Sequence, residues 1–232
     1  RLMEREVSAL NRVLGEPERP SVFILGGAKI QDAFMIMDAV LENGSADMIL
    51  ATGLVANVLL VAKGVSLGQA SEDVIRKKNL WEFVDQSHSI LQKYGNRIML
   101  PLDFAYSENG VRREVDFGQL PAENALTDLG SKTIAQFREI IKAAKTIFFN
   151  GPPGMFEDAA TENGTKEILE AIAESNGFSI VGGGDSIAAI NKYGVKSQID
   201  YISTGGGALI RFLSGEELPV ITALKKSAQK YN

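Results

Sequence analysis

The sequence predicts a doubly wound α/β fold: a mainly parallel six-stranded sheet with helices on both faces. Three observations predict it. Short apolar runs recur along the chain at residues 22–25, 48–51, 98–100, 146–149, 179–181 and 201–202. Between them lie segments whose apolar residues fall three and four apart, the spacing of a one-faced helix. Glycine follows five of the six runs, so strands end in turns that can admit close backbone approach. The runs lack strict polar alternation, which suits strands covered on both sides. Strand–helix repetition argues for parallel strands joined by right-handed crossovers. Such a sheet aligns its strand C-termini along one edge, where ligands bind.

Taken in order, residues 1–14 read as a helix through Leu2, Val7, Leu10, Val13 and Leu14, ending before Pro17 and Pro20. No strand precedes it. The first helix after a strand carries Ile30, Phe34, Met37, Val40 and Leu41 on one face. Two later ones carry Ile134, Phe137, Ile140 and Ile141, then Ile168, Leu169 and Ile172. Residues 103–120 have no helical period and contain Asn109-Gly110, so they read as an inserted β-ribbon. His88 lies between two serines in a helical stretch and reads as a surface residue. No internal repeat or low-complexity tract interrupts what reads as one domain.

Composition narrows the function classes. The chain has 232 residues, 45% of them hydrophobic and 23% charged, with no cysteine and one histidine. Disulfides and thiolate metal sites are excluded, and a histidine triad is disfavoured. A net charge of −5 argues against a nucleic-acid binder. No apolar run approaches the roughly 18 residues of a membrane span, and no signal peptide is visible.

The polar chemistry collects where the strands end. The loops read Gly26-Gly27-Ala28-Lys29, Thr52-Gly53, Asn150-Gly151-Pro152-Pro153-Gly154, Gly182-Gly183-Gly184-Asp185 and Ser203-Thr204-Gly205-Gly206-Gly207. A glycine turn opening a helix aims free N–H groups and the positive dipole end at one point. One such turn is an ordinary strand terminator; several along one edge form an anion cradle. Lys29, in the first turn of a helix, opposes the macrodipole unless an anion faces it. Asp185 is equally readable as a helix cap or a magnesium ligand. Glu157 and Asp158 fit a solvated acidic turn, Asn150 a turn cap, and Ser203 and Thr204 loop hydroxyls. The P-loop pattern fails because Ala28, not glycine, precedes Lys29, and G-x-G-x-x-G fails because its sixth position, counted from the first glycine of each triple, is Ile187 or Ile210. A generic dinucleotide-binding dehydrogenase is therefore disfavoured.

The ordered set Gly26-Gly27-Ala28-Lys29-Ile30-x-Asp32, Asn150-Gly151-Pro152-x-Gly154-x-Phe156-Glu157, Gly182-Gly183-Gly184-Asp185-Ser186 and Ser203-Thr204-Gly205-Gly206-Gly207-Ala208 resembles phosphoglycerate kinases. Smaller matches are Pro101-Leu102-Asp103-Phe104 and Leu213-Ser214-Gly215-x-Glu217-Leu218-Pro219. The resemblance spans the chain but only the family's C-terminal, nucleotide-binding half, a Rossmann-like domain. It implies an inter-domain helix at 1–15, a nucleotide-binding domain at 16–232, and an absent N-terminal domain that binds the phosphoglycerate. The implied reaction is reversible phosphoryl transfer between 1,3-bisphosphoglycerate and ADP, giving 3-phosphoglycerate and ATP, in a cytoplasmic glycolytic enzyme. Adenine would lie against Gly27, Gly53 and Met155, with Glu157 on the ribose and Asn150 near ribose and phosphates. Gly26, Pro152, Gly154, Gly184 and Ser186 complete the implied nucleotide site. Asp185 would hold a magnesium ion on the ADP or ATP phosphates. Lys29, Gly183, Gly184, Gly205 and Gly206 would surround the transferring phosphoryl, and the loop at 203–207 would belong to the hinge between domains.

One departure is Ala33, where many family members carry a second lysine; with the lack of cysteine it suggests an archaeal-type member. Without the phosphoglycerate domain, the chain is expected to bind Mg-ADP or Mg-ATP and to be catalytically silent. The alternative is a stand-alone, non-catalytic nucleotide-binding module.

Overall fold

The computed structural model describes residues 2–213. The Ser214–Pro219 part of the C-terminal motif match lies outside them. Strand β1 (Ser21–Leu25) is flanked by β2 (Met48–Ala51) on one side, with β3 (Ile98–Met99) beyond it. On its other side lie β7 (Thr146–Asn150), β8 (Phe178–Gly182) and β9 (Tyr201–Ile202). All pairings in this six-stranded sheet, ordered β3-β2-β1-β7-β8-β9, are parallel. The predicted sheet is therefore present, and its C-terminal edge is shared by every strand.

Period-two side-chain alternation divides the core in two. Phe23 and Leu25 of β1, Phe148 of β7 and Ile180 of β8 enter one apolar cluster; Val22, Ile24, Ile147, Phe149 and Val181 enter the other. Helices α1 (Leu2–Leu14), α2 (Ile30–Glu42), α3 (Gly53–Ala62), α5 (Glu82–Tyr94) and α9 (Gly207–Leu213) feed the first cluster. The short α4 (Gln69–Lys77) adds Ile75 to it. On the opposite face lie α6 (Ser131–Ala143), α7 (Asn163–Glu174) and α8 (Gly184–Tyr193). Helix α1 buries Ala9, Leu10 and Val13 in the core. His88 lies on α5 and is exposed.

The ribbon expected at 103–120 forms as β4 (Asp103–Glu108) and β5 (Val111–Asp116), turning at Asn109-Gly110, both with positive φ. A third strand, β6 (Asp128–Leu129), pairs with β4 and makes a separate three-stranded antiparallel sheet. This third strand was not foreseen beside the expected ribbon: two residues are too short to show a strand period. Phe104 and Leu126 pack with Leu60 and Leu67 of the main body and join the two sheets.

The chain runs outward from β1 to β3, builds the ribbon, and returns to place β7 beside β1. The crevice between the C-terminal ends of β1 and β7 is thus the point where strand order reverses, the usual ligand site of an open α/β sheet.

Candidate functional site

The loops after β1, β2 and β7 are built into one another at that crevice. Gly26 N–H donates to the Asn150 carbonyl at 2.9 Å, and Gly27 N–H to the Pro152 carbonyl at 3.0 Å. The fit leaves no room for side chains. A Cβ at Gly26 would lie 2.1 Å from Thr52 Oγ1, and one at Gly53 would lie 2.9 Å from the Gly27 nitrogen. Gly151 has φ +87°, and a Cβ there would lie 2.1 Å from the Gly26 carbonyl oxygen. Ser186, fully buried on α8, accepts from Gly151 N–H at 2.9 Å and ties in the β8 loop.

Glycines at 184 and 207 differ. An added Cβ at either meets nothing within 4 Å, and neither has a positive φ. Loop packing accounts for glycine at 26, 53 and 151 but not at 184 or 207.

Three of the helices that begin at this edge do so beside its cavities: α2 after Lys29, α3 after Thr52 and α8 after Gly183. None has a side-chain cap hydrogen bond. Their first N–H groups have no intrahelical acceptor, so three positive helix ends face the same rim. Lys29 stands at the N-cap of α2, one residue earlier than its expected place in the first turn. It is exposed, and its ammonium makes no ion pair or hydrogen bond among the described residues. Asp185 lies in the first turn of α8 without capping it, also exposed.

Two adjoining cavities occupy the edge. A small cleft is lined by Gly26, Gly27, Ala28, Lys29, Asn150, Gly151, Gly183, Gly184, Asp185 and Ser186. A larger cavity of about 470 Å³ has mostly apolar walls, including Leu54, Val74, Phe104 and Leu126. Gly27, Gly53, Pro152, Gly154, Met155 and Glu157 line it too. Gly27, Ala28 and Asp185 line both spaces. Gly205 and Gly206 line neither. Their loop leaves β9 on the same edge, where Glu6 of α1 accepts hydrogen bonds from Tyr201 and Ser203, and Ser203 Oγ accepts from Gly205 N–H at 3.2 Å. Ala33 is 1% exposed inside the α2 core face, so a lysine there would be buried.

The sequence model of the phosphoglycerate kinase family matches residues 1–216. The chain belongs to the phosphoglycerate kinase family. It is 45% identical over 230 residues to a phosphoglycerate kinase from Methanothermus fervidus, covering 99% of this chain and 56% of the relative. It is 44% identical to one from Pyrococcus abyssi, covering 57% of it. The crystal structure of phosphoglycerate kinase from Pyrococcus horikoshii superposes with a TM-score of 0.91 at 42% identity, over 99% of this chain and 57% of that one. The chain thus spans about half the length of these relatives, and the three are archaeal, as Ala33 and the lack of cysteine suggested.

The ribbon adds residues to the site that sequence reasoning passed over. Asp128 on β6 lines the larger cavity with its side chain fully buried. Its Oδ2 accepts from Arg112 of β5 at 2.7 Å and from Gly164 N–H at 2.9 Å. Burial pushes its carboxyl up to about 6 despite these hydrogen bonds. Thr127 accepts from Met155 N–H at 3.0 Å. The only available signal was polar residues in a stretch with no period.

Proposed function

We propose that the chain is the nucleotide-binding half of a phosphoglycerate kinase, acting in the cytoplasm on ADP and ATP. The carrying observation is the junction of an apolar cavity with a glycine-lined cleft where three uncapped helix starts meet. The adenosine part would fill the larger cavity, with adenine against Gly27, Gly53 and Met155 and ribose hydroxyls donating to Glu157. The phosphates would pass Asn150 into the cleft. Asp185, unpaired at the border of both spaces, fits a magnesium ion carried by the nucleotide. Among the described residues no trio of acidic or histidine groups could hold a metal, which suits an ion ligated chiefly by phosphate oxygens.

The transfer would move the phosphoryl of 1,3-bisphosphoglycerate to a terminal oxygen of ADP. A P–O bond forms to ADP, the acyl P–O bond breaks, and 3-phosphoglycerate leaves as a carboxylate. Attacking and leaving groups are already anions, so no general base is needed, and positioning with charge stabilisation supplies the catalysis. Lys29 and the N–H groups of Gly183, Gly184 and the 205–207 loop would face the equatorial oxygens. The phosphoglycerate would be held by an N-terminal domain, with α1 as the connecting helix, so this chain alone would bind nucleotide without turnover.

Calorimetric titration tests the reading. Mg-ADP is expected to bind between micromolar and millimolar, about −4 to −8 kcal/mol, and NAD to bind much less well. Absence of Mg-ADP binding would sink the proposal.

A second expectation concerns Gly184, where packing does not require glycine. Gly184→Ala should leave stability unchanged or raise it by about 0.5–1 kcal/mol, the usual helix gain. Mg-ADP affinity should nonetheless fall about tenfold, since the methyl group occupies the approach to the phosphates. A variant binding as well as the parent would remove Gly184 from the cradle.

A further inference from the structure

We propose that Asp128, clamped by Arg112, is the positioning residue of the loop that grips the adenosine part of the nucleotide, an inference that rests on the reading above. The ribbon sheet adds no strand to the six-stranded sheet, yet it supplies both members of this pair. Its end abuts the 151–162 segment, which carries Met155 and Glu157. Met155 N–H reaches Thr127, the neighbour of Asp128. Asp128 Oδ1 lies where a Cβ of Gly154 or Gly164 would stand, 2.2 Å from each such position. The carboxylate is therefore a floor on which the backbone at Gly154 rests. Arg112 extends the clamp by donating to the Leu129 carbonyl at 2.7 Å and to the Ala160 carbonyl at 3.4 Å, the latter inside the same segment. Gly154 is held further by hydrogen bonds exchanged with Thr165 Oγ1, and the Met155 carbonyl by Thr161.

Stability alone is a poor reason for this arrangement. Asp128 Oδ1 is buried with no hydrogen-bond partner among the described residues. An orphaned buried acceptor costs free energy, and a buried ion pair is often no better than apolar residues of the same shape. What the pair supplies is a fixed height and angle for one backbone segment at the cavity wall.

The titration of Asp128 separates positioning from stability. Its raised pKa means the folded chain holds the proton more tightly than the unfolded chain. As pH falls from about 6 towards 4, protonation of Asp128 favours the folded state. The same protonation removes the charge that holds Arg112, so adenosine affinity should fall while the fold does not weaken on this account. The other groups around the clamp do not imitate this. Glu114, where hydrogen bonds from Ser131 and Arg112 outweigh burial, is lowered. Glu162 is lowered by the hydrogen bond from Lys192, and Tyr193 is pushed up by burial and by Glu162. Lys192 on α8 pairs with Glu162 and donates to the Phe156 carbonyl, holding the segment from its other side. Glu157 and Asp158 are the remaining charged groups on the segment itself, and Asp158 Oδ1 accepts from Ala160 N–H at 2.9 Å.

The test titrates the 232-residue chain with adenosine, which carries no phosphate, and with inorganic tripolyphosphate, which carries no base. Asp128→Asn and Arg112→Met should each weaken adenosine about tenfold, as expected for a lost charge-assisted hydrogen bond, and leave tripolyphosphate unchanged. The parent's adenosine affinity should fall as pH is lowered through about 6, and the Asn variant's should stay flat. Unchanged adenosine affinity in either folded variant, equal loss for both probes, or a flat parent pH profile would each overturn the inference. The pH arm needs no substitution, so it decides the matter even if a variant fails to fold. A parent that binds Mg-ADP while the variants match it defeats only this inference; a parent that binds neither defeats the function proposed above.

Discussion

Gly151→Ala is expected to destabilise the protein by about 4 kcal/mol. Two separate costs add at this position. A non-glycine residue at φ +87° carries roughly 1–3 kcal/mol of backbone strain. The new methyl group would also lie 2.1 Å from the Gly26 oxygen, 2.5 Å from the Gly26 carbonyl carbon and 2.9 Å from the Gly27 nitrogen. All three are backbone atoms of the adjoining strand end, so no rotamer change can relieve the overlap, and forced shifts in a packed region cost about 1–3 kcal/mol more. Gly44→Ala is the control. Its φ of +75° imposes comparable strain, but a Cβ there meets nothing within 4 Å, so its loss should stop at about 1–2 kcal/mol. Denaturant unfolding of both variants measures the difference. Equal losses would mean that the loops after β1 and β7 yield to each other, and that the crevice is not the rigid junction described here.

The sheet was legible because its strands are apolar runs stopped by glycine, and local patterns record both features. Residues 53–62 were harder to read. They are nearly uniformly apolar, as befits α3, which buries all but Gly53, Leu54 and Val61 and so has no polar face to mark a period. Strand β6 was invisible for the opposite reason: it is two residues long and defined by pairing with β4. The loops were readable as one edge, since parallel strands place their C-termini together. How tightly they interlock was not readable, because that depends on contacts such as Gly26 with Asn150, far apart in sequence. Asp128 is the clearest case. Its partners Arg112 and Gly164 lie 16 and 36 residues away, and nothing in its immediate neighbours distinguishes it from a loop aspartate. Lys29 could be singled out locally, because a cation at a helix start contradicts the macrodipole wherever the rest of the chain goes.

That contradiction gives the last expectation its shape. In the intact kinase, Lys29→Ala should lower turnover by about 10²–10³-fold, the scale of removing one well-aimed donor from a developing charge. On the function proposed above, Mg-ADP affinity should change only a few-fold, because ground-state phosphates would have the three helix ends and magnesium as well. Stability should rise by a few tenths of a kcal/mol, since an exposed cation with no ion pair among the described residues leaves the N-cap of α2. Steady-state kinetics, calorimetry and unfolding measure the three quantities on one variant. A loss in affinity equal to the loss in turnover would assign Lys29 to uniform nucleotide binding. A loss in stability would show that the ammonium has a structural partner after all. Only a fall in turnover with the other two nearly still fits a lysine that meets its full counter-charge in the transition state. Ala33 sharpens the case: it faces the core one turn along the same helix, so α2 has no second lysine at that position to share the charge.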